Sequence, residues 1–205
     1  MSAYIVGLAG GIGSGKTAAS DWFSRRGIDI IDTDVLAREV VRKNSPALTA
    51  IKNHFGDWVL LENGELDRTA LREYIFQHAE AREQLEHITH PAIRQLMQER
   101  LTQANSTYAI LVSPLLFEKQ QHLLTHRTLL IDVPEHLQLQ RASQRDQHHP
   151  AQIQKIIDIQ MSRTEKLKLA DDVIVNDQDL NHLYQKLEKL HQFYLQQAQQ
   201  YQQQQ

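Results

Sequence analysis

Cysteine is absent from the 205 residues, which excludes a disulfide framework, thiolate metal sites and a cysteine nucleophile. Its absence fits a reducing compartment. A basic surplus is absent too. The chain has 22 Lys and Arg against 25 Asp and Glu, a formal net charge of −3, whereas nucleic-acid binders ordinarily carry excess positive charge to neutralise phosphates. No nucleic-acid partner is expected. The opening Met1–Gly11 has no basic leader, its apolar run is too short for a signal core or a membrane span, and no later apolar run is long enough. A soluble cytoplasmic protein without membrane contact is the expectation. There is no internal repeat and no heptad run that would force assembly; a monomer is the expectation, with an oligomer as the alternative. The length suits one domain with an insertion, and a chain of this size buries well over half of its unfolded surface without needing a staple.

The apolar patterning is that of an α/β protein. Tyr4 to Ala9 is a short apolar run ending in glycines, which reads as a buried parallel strand. A helix is predicted from about Gly15 to Arg25, stopped by Gly27, with a second strand at Ile28–Asp32. Further strands are expected at Tyr108–Val112, Thr128–Val133 and Asp172–Asn176, giving five in all. Helices are expected over 134–145, 150–170 and 181–195. Between them, residues 35–104 are polar, charged and helical. Leu85, Ile88, Ala92 and Leu96 fall on one line, and Ile93, Met97 and Leu101 fall beside it. This stretch reads as a helical insertion in a core formed by about 1–34 and 105–195. Pro91 marks a break or the first turn of a new helix, and Glu62-Asn63-Gly64-Glu65 marks a turn. Residues 196–205 are nearly all Gln and are expected to be disordered.

The chemistry begins at Gly10-Gly11-Ile12-Gly13-Ser14-Gly15-Lys16-Thr17, which matches G-x-x-x-x-G-K-[ST] between a predicted strand and a predicted helix. Glycines let backbone N–H groups turn inward around phosphate oxygens. The following helix adds partial positive charge at its N-terminus. In that motif Lys16 reaches the β/γ-phosphates and the Thr17 hydroxyl ligates Mg²⁺. ATP and Mg²⁺ are therefore the expected cofactors, and the class is a small-molecule kinase.

Asp32-Thr33-Asp34 follows the second strand. Ligands of open parallel sheets bind at the carboxyl ends of strands; the first strand ends at the glycine loop, so a carboxylate ending its neighbour, the second strand, is expected to face the γ-phosphate. There it can take a hydroxyl proton or hold Mg²⁺. The alternative is a turn and a helix N-cap. The third strand ends in Val112-Ser113-Pro114, without the metal-holding Asp of many P-loop ATPases. Arg141 and Arg145 lie four apart on one helix face, with Asp146-Gln147-His148-His149-Pro150 as a loop after them, so residues 141–163 read as a lid; a solvated basic face is the alternative. Arg163 is a third candidate cation. The 11 histidines lack the accompanying Asp, Glu or Cys patterns of a zinc site, and none is assigned.

With these residues in place, the chain resembles the dephospho-coenzyme A kinases. The resemblance is carried by residues 7–17, Ile31-Asp32-Thr33-Asp34 with Ala37-Arg38, His90-Pro91, Pro114-Leu115-Leu116-Phe117-Glu118, Gln140-Arg141 with Arg145-Asp146, and Ala170–Asn176. It runs from about Tyr4 to Leu195. It implies a three-layer P-loop fold with a helical coenzyme A-binding insertion and a lid, and transfer of the ATP γ-phosphoryl group to the 3′-hydroxyl of dephospho-coenzyme A. By the same resemblance, Gly11, Ile12, Gly13, Ser14, Gly15, Lys16, Thr17 and Ala18 hold ATP, with Arg145 and Asn176 beside it. Lys16, Asp34 and Arg141 are the catalytic set, and Thr17 and Asp34 hold Mg²⁺. Asp34, Arg38, His90, Pro91, Leu115, Leu116 and Phe117 form the acceptor side. Many members carry Ser-Thr after the P-loop Lys; Thr17-Ala18 keeps the metal hydroxyl and loses the second one. Rival readings are another small-molecule P-loop kinase, disfavoured by the insertion, and a GTPase-like switch, disfavoured because no Asn-Lys-x-Asp pattern is present.

Overall fold

The computed structural model describes residues 3–146 and 150–204, without the side chains of 145, 146, 150, 152 and 156. In chain order, β1 (Tyr4–Gly10), α1 (Lys16–Ser24) and β2 (Asp29–Asp32) lead into α2 (Thr33–Glu39), α3 (Pro46–Phe55), α4 (Arg68–Gln77) and α5 (Ala79–Thr102). Then come β3 (Tyr108–Val112), β4 (Arg127–Asp132), α6 (Glu135–Asp146), α7 (Pro150–Ile159), α8 (Arg163–Leu169), β5 (Asp172–Val175) and α9 (Leu180–Gln203). These fall into two compact units: Met1–Ile31 with Leu101–Gln205, and Asp32–Arg100.

In the first unit the predicted βαβ pattern forms a five-stranded parallel sheet in the order β2-β3-β1-β4-β5. The sequence predicted that β2 neighbours β1. It does not, because β3 takes the place between them, pairing Tyr4 with Tyr108 through to Leu8 with Val112. On the other side of β1, β4 pairs Gly10 with Ile131. Every residue of β1 is buried, as a strand covered on both faces requires. Val6 and Leu8 join α1 (Ala19, Trp22, Phe23) and α9 (Leu183, Leu187, Tyr194) in one cluster. The alternate residue Gly7 faces the other way, where an added Cβ would stand 2.9 Å from Leu116. A fully buried Phe23 or Leu129 contributes about 1.5–3 kcal/mol each.

Two sequence expectations are corrected among the helices. The expected helix over 150–170 is two helices, because Ser162 starts α8 with a reciprocal cap to Glu165. The Gln-rich tail is ordered helix to Gln203, not disordered. Its buried face continues the spacing of the helix before it, through His191, Tyr194 and Ala198. Tyr201 sits against the rings of His126 and Tyr4, with centroids 4.4 and 5.9 Å away.

The second unit packs around Val41, Ala47, Ile51, Val59 and Leu71, with Leu85, Ile88 and Ala92 of α5 against them. Pro91 does not break the chain here: α5 passes through it. The missing N–H costs one backbone hydrogen bond, and the apolar stripe on both sides of the proline outweighs it. The Asn63-Gly64 turn forms as predicted, with Gly64 at φ 79° and a Leu60–Leu66 bridge closing it.

Candidate active site

At the carboxyl end of β1 the glycine loop turns into α1. Ser14 N–H donates to the Gly11 carbonyl at 3.2 Å. Gly13 has φ 69° and Gly15 has φ 93°, left-handed values that a side chain resists. At Gly13 a Cβ would stand 2.9 Å from the backbone oxygen of Gln138, and at Gly15 it would stand 2.5 Å from the Asn176 amide nitrogen. The loop is therefore pressed against α6 on one side and the end of β5 on the other. Lys16 is the first residue of α1, and no side chain caps that helix start. The amides of its first turn have no intrahelical acceptor, and they make a ready anion site. Thr17 is exposed in the same turn, where a hydroxyl is available to a metal; Ala18 is half-buried.

Gly13, Gly15, Arg141, Asn176, Gln178 and Leu180 line a cavity of about 580 Å³ over the loop. Arg141 does not extend freely into it: its guanidinium donates to the carbonyls of Asn176 at 2.8 Å and Gln178 at 3.3 Å. Of the other predicted lid residues, Arg145 lies on α6 with its side chain outside the described residues, and His148 and His149 also lie outside them.

A second cavity, of about 240 Å³, is lined by Gly11, Asp132, Gln138, Arg163 and Lys166 among others. The sequence reading missed Asp132, which ends β4 immediately beyond the Gly10–Ile131 pair. Its carboxylate is 3% exposed and holds Arg163 through two bonds of 2.8 and 2.7 Å. That partner raises the Arg163 pKa. The reasoning that singled out Asp34, a carboxylate ending a parallel strand, applies with more force to Asp132, because β4 does adjoin β1. Nearby, buried Lys166 pairs with Glu118 at 3.3 Å, and Glu118 also accepts the Met161 N–H at 2.9 Å. Glu118 thus ties the Pro-Leu-Leu-Phe-Glu segment to the chain before α8.

Leu116 and Phe117 are 1% and 3% exposed. Both are buried; the first lies beneath β1 and the second beside His122. Leu115 is partly exposed, and its N–H is held by the Ser113 hydroxyl at 3.2 Å.

In the second unit, Asp32 caps α2: its carboxylate accepts the Asp34 N–H at 2.8 Å. Asp34 itself is exposed, so its carboxylate is not spent as the cap. Arg38 is exposed on α2, and its carbonyl accepts from Arg68 at 3.1 Å. His90 and Pro91 line a shallow cavity of about 360 Å³ with Glu86, His87 and Arg94. Among the described residues no group of three or more His, Asp or Glu could hold a metal ion. No helix among the described residues is long and apolar enough to cross a membrane.

Comparison with known proteins agrees with this geometry. A family model for dephospho-CoA kinase matches residues 4–182. Dephospho-CoA kinase of Acinetobacter baylyi is 58% identical over 94% of this chain and 98% of its own length. The Psychrobacter cryohalolentis enzyme of that name is 51% identical over 96% and 86%. Among solved structures, dephospho-CoA kinase from Campylobacter jejuni superposes with a TM-score of 0.69 at 29% identity, covering 92% of this chain and 95% of that one. A shikimate kinase from Acinetobacter baumannii, at TM-score 0.51 and 17% identity over 92% of each chain, shares the fold alone. By its P-loop, its parallel sheet and these relatives, the chain belongs to the dephospho-CoA kinase family of ATP-dependent kinases.

Proposed function

We propose that this chain transfers the γ-phosphoryl group of ATP to the 3′-hydroxyl of dephospho-coenzyme A, releasing coenzyme A and ADP. The observation that carries this is the glycine loop, whose two left-handed glycines turn backbone amides inward directly ahead of Lys16. The loop amides from Gly11 to Ala18 hold the triphosphate, and Lys16 follows the charge that develops between the β- and γ-phosphates. Mg²⁺ would be held by the Thr17 hydroxyl and the Asp34 carboxylate and would neutralise phosphate charge. Asp34, exposed and not used as a cap, takes the proton from the 3′-hydroxyl as that oxygen bonds to phosphorus and the bond to the ADP oxygen breaks.

Arg38, His90, Pro91 and Leu115 serve the acceptor in this scheme. Arg141 braces the edge of the nucleotide cavity, and Arg145 supplies positive charge to the phosphates of ATP. We also propose that the insertion, over about 35–104, is the coenzyme A-binding part, and that the chain works as a cytoplasmic monomer, a state that sedimentation of the purified protein checks. The test of the reaction is the rate of ADP formation with Mg²⁺ and a panel of acceptors: dephospho-coenzyme A, shikimate, nucleosides and no acceptor. ADP formation that depends on dephospho-coenzyme A alone is expected. Equal rates without acceptor, or a preference for another hydroxyl compound, would overturn the substrate.

A further inference from the structure

Asn176, expected beside ATP, lines the cavity over the glycine loop, and its side chain is bonded to that loop. The residue is 6% exposed. Its amide nitrogen donates to the carbonyl of Ser14 at 2.7 Å. A carbonyl oxygen only accepts, so the amide must present its nitrogen there. Asn176 is also held at both backbone groups. Its N–H donates to the Asp132 carbonyl at 2.8 Å, and its own carbonyl accepts from Arg141 at 2.8 Å. A side chain with its backbone fixed this way cannot drift from its acceptor.

The consequence lies across the Ser14–Gly15 peptide. In a planar trans peptide the C=O and the N–H point in opposite directions. Holding the Ser14 carbonyl toward Asn176 therefore aims the Gly15 N–H away from it. The Gly15 carbonyl accepts the Ala19 N–H at 3.0 Å, a bond that holds the next peptide and does not itself set the Ser14–Gly15 plane. The Ser14 hydroxyl is buried and has no hydrogen-bond partner among the described residues. The remaining restraint on Ser14 is its N–H bond to Gly11, at 3.2 Å. Gly15 has no side chain and the widest backbone freedom.

We propose that Asn176 is a positioning residue for the nucleotide: it clamps the Ser14–Gly15 peptide so that the phosphate-binding amides are set before ATP arrives, and Arg141 completes the clamp by fixing the Asn176 backbone. The proposal rests on the phosphate-cradle reading of the glycine loop. A preset amide array avoids reorganisation on binding. The clamp also links α6, through Arg141, to the loop on the far side of the cavity.

The test is Asn176→Asp, which keeps the shape, removes the donor and sets an oxygen against the Ser14 carbonyl. Mg-ATP and ADP dissociation constants are expected to rise about tenfold, as loss of one buried hydrogen bond with its partner left unpaired implies. The KM for dephospho-coenzyme A at saturating ATP is expected to stay within about twofold. Unchanged nucleotide affinity would overturn the clamp. So would parallel losses of nucleotide and acceptor affinity together with lost helicity, the mark of a general structural role. A second measurement needs no substitution. In the nucleotide-free protein, the Asn176 side-chain amide protons must exchange slowly with solvent, and fast exchange would overturn the proposal even if the variant does not fold. Failure of the kinase reading would appear separately, as an unsubstituted protein that does not bind Mg-ATP.

Discussion

Asp34 carries a carboxylate that no cap consumes, since Asp32 takes that task two residues earlier. Asp34→Asn is therefore expected to leave ATP affinity nearly intact and to lower turnover by about 10²-fold or more, the range for a lost general base. Separate binding and steady-state measurements check it, and near-normal turnover would remove the base role. Lys16→Ala is expected to depress turnover much more than stability, because the loop amides that shape the site remain; a melting curve beside the kinetics separates the two. Gly13 is different. Its φ of 69° and the Gln138 backbone oxygen 2.9 Å from a Cβ leave no room for alanine. Gly13→Ala is expected to cost about 1–3 kcal/mol in denaturant unfolding, and a neutral result would contradict the packing described.

At the scale of elements, the most exposed prediction concerns α9. Its last turns bury Ala198 fully and seat Tyr201 against His126. Truncation after Leu195 is expected to cost about 2–3 kcal/mol, and so to lower the melting temperature by roughly 5–10 °C for a chain of this size. An unchanged melting curve would show the tail to be idle. The tail also shows where the sequence was legible and where it was not. Leu183, Leu187, His191, Tyr194, Ala198 and Tyr201 recur at intervals of three and four, a helical signal that the run of Gln obscured. Glutamine is itself a good helix former, so low complexity was not disorder here. All five strands were legible as apolar runs ended by polar or turn residues. Their order was not, because an apolar run does not encode its neighbours. Hence Asp34 was argued from an adjacency that β3 occupies, while Asp132, truly beside β1, was passed over. The glycine loop was fully legible because its motif is contiguous in sequence and its turn is set by local backbone. The Asn176–Ser14 bond joins residues 162 apart in sequence and could not be read from either end.

For the molecule as a whole, pH links the buried polar network to stability. His191 is buried, hydrogen-bonded to the Tyr108 hydroxyl at 2.7 Å, and burial lowers its pKa. The unfolded chain therefore takes up this proton more readily than the folded one. The stabilising contribution is complete above the ordinary histidine value of about 6.5 and is lost as pH falls from there through the lowered folded value. Asp29 adds a second step further down. The backbone N–H of Ser106 is the chief cause of its lowered pKa, so its contribution is lost as the carboxylate protonates. Unfolding free energy measured against pH is expected to be level between about 7 and 9 and to decline below about 6.5; a rise on acidification from neutrality would contradict the His191 assignment.

The reaction itself is tested most directly by following the transferred group. Purified protein is incubated with Mg²⁺, γ-labelled ATP and dephospho-coenzyme A, and the product is examined by mass and phosphorus NMR. The label is expected in coenzyme A, on the 3′-oxygen of the ribose, in amounts equal to the ADP formed. Label released as inorganic phosphate, or found at another position of the acceptor, would contradict the account.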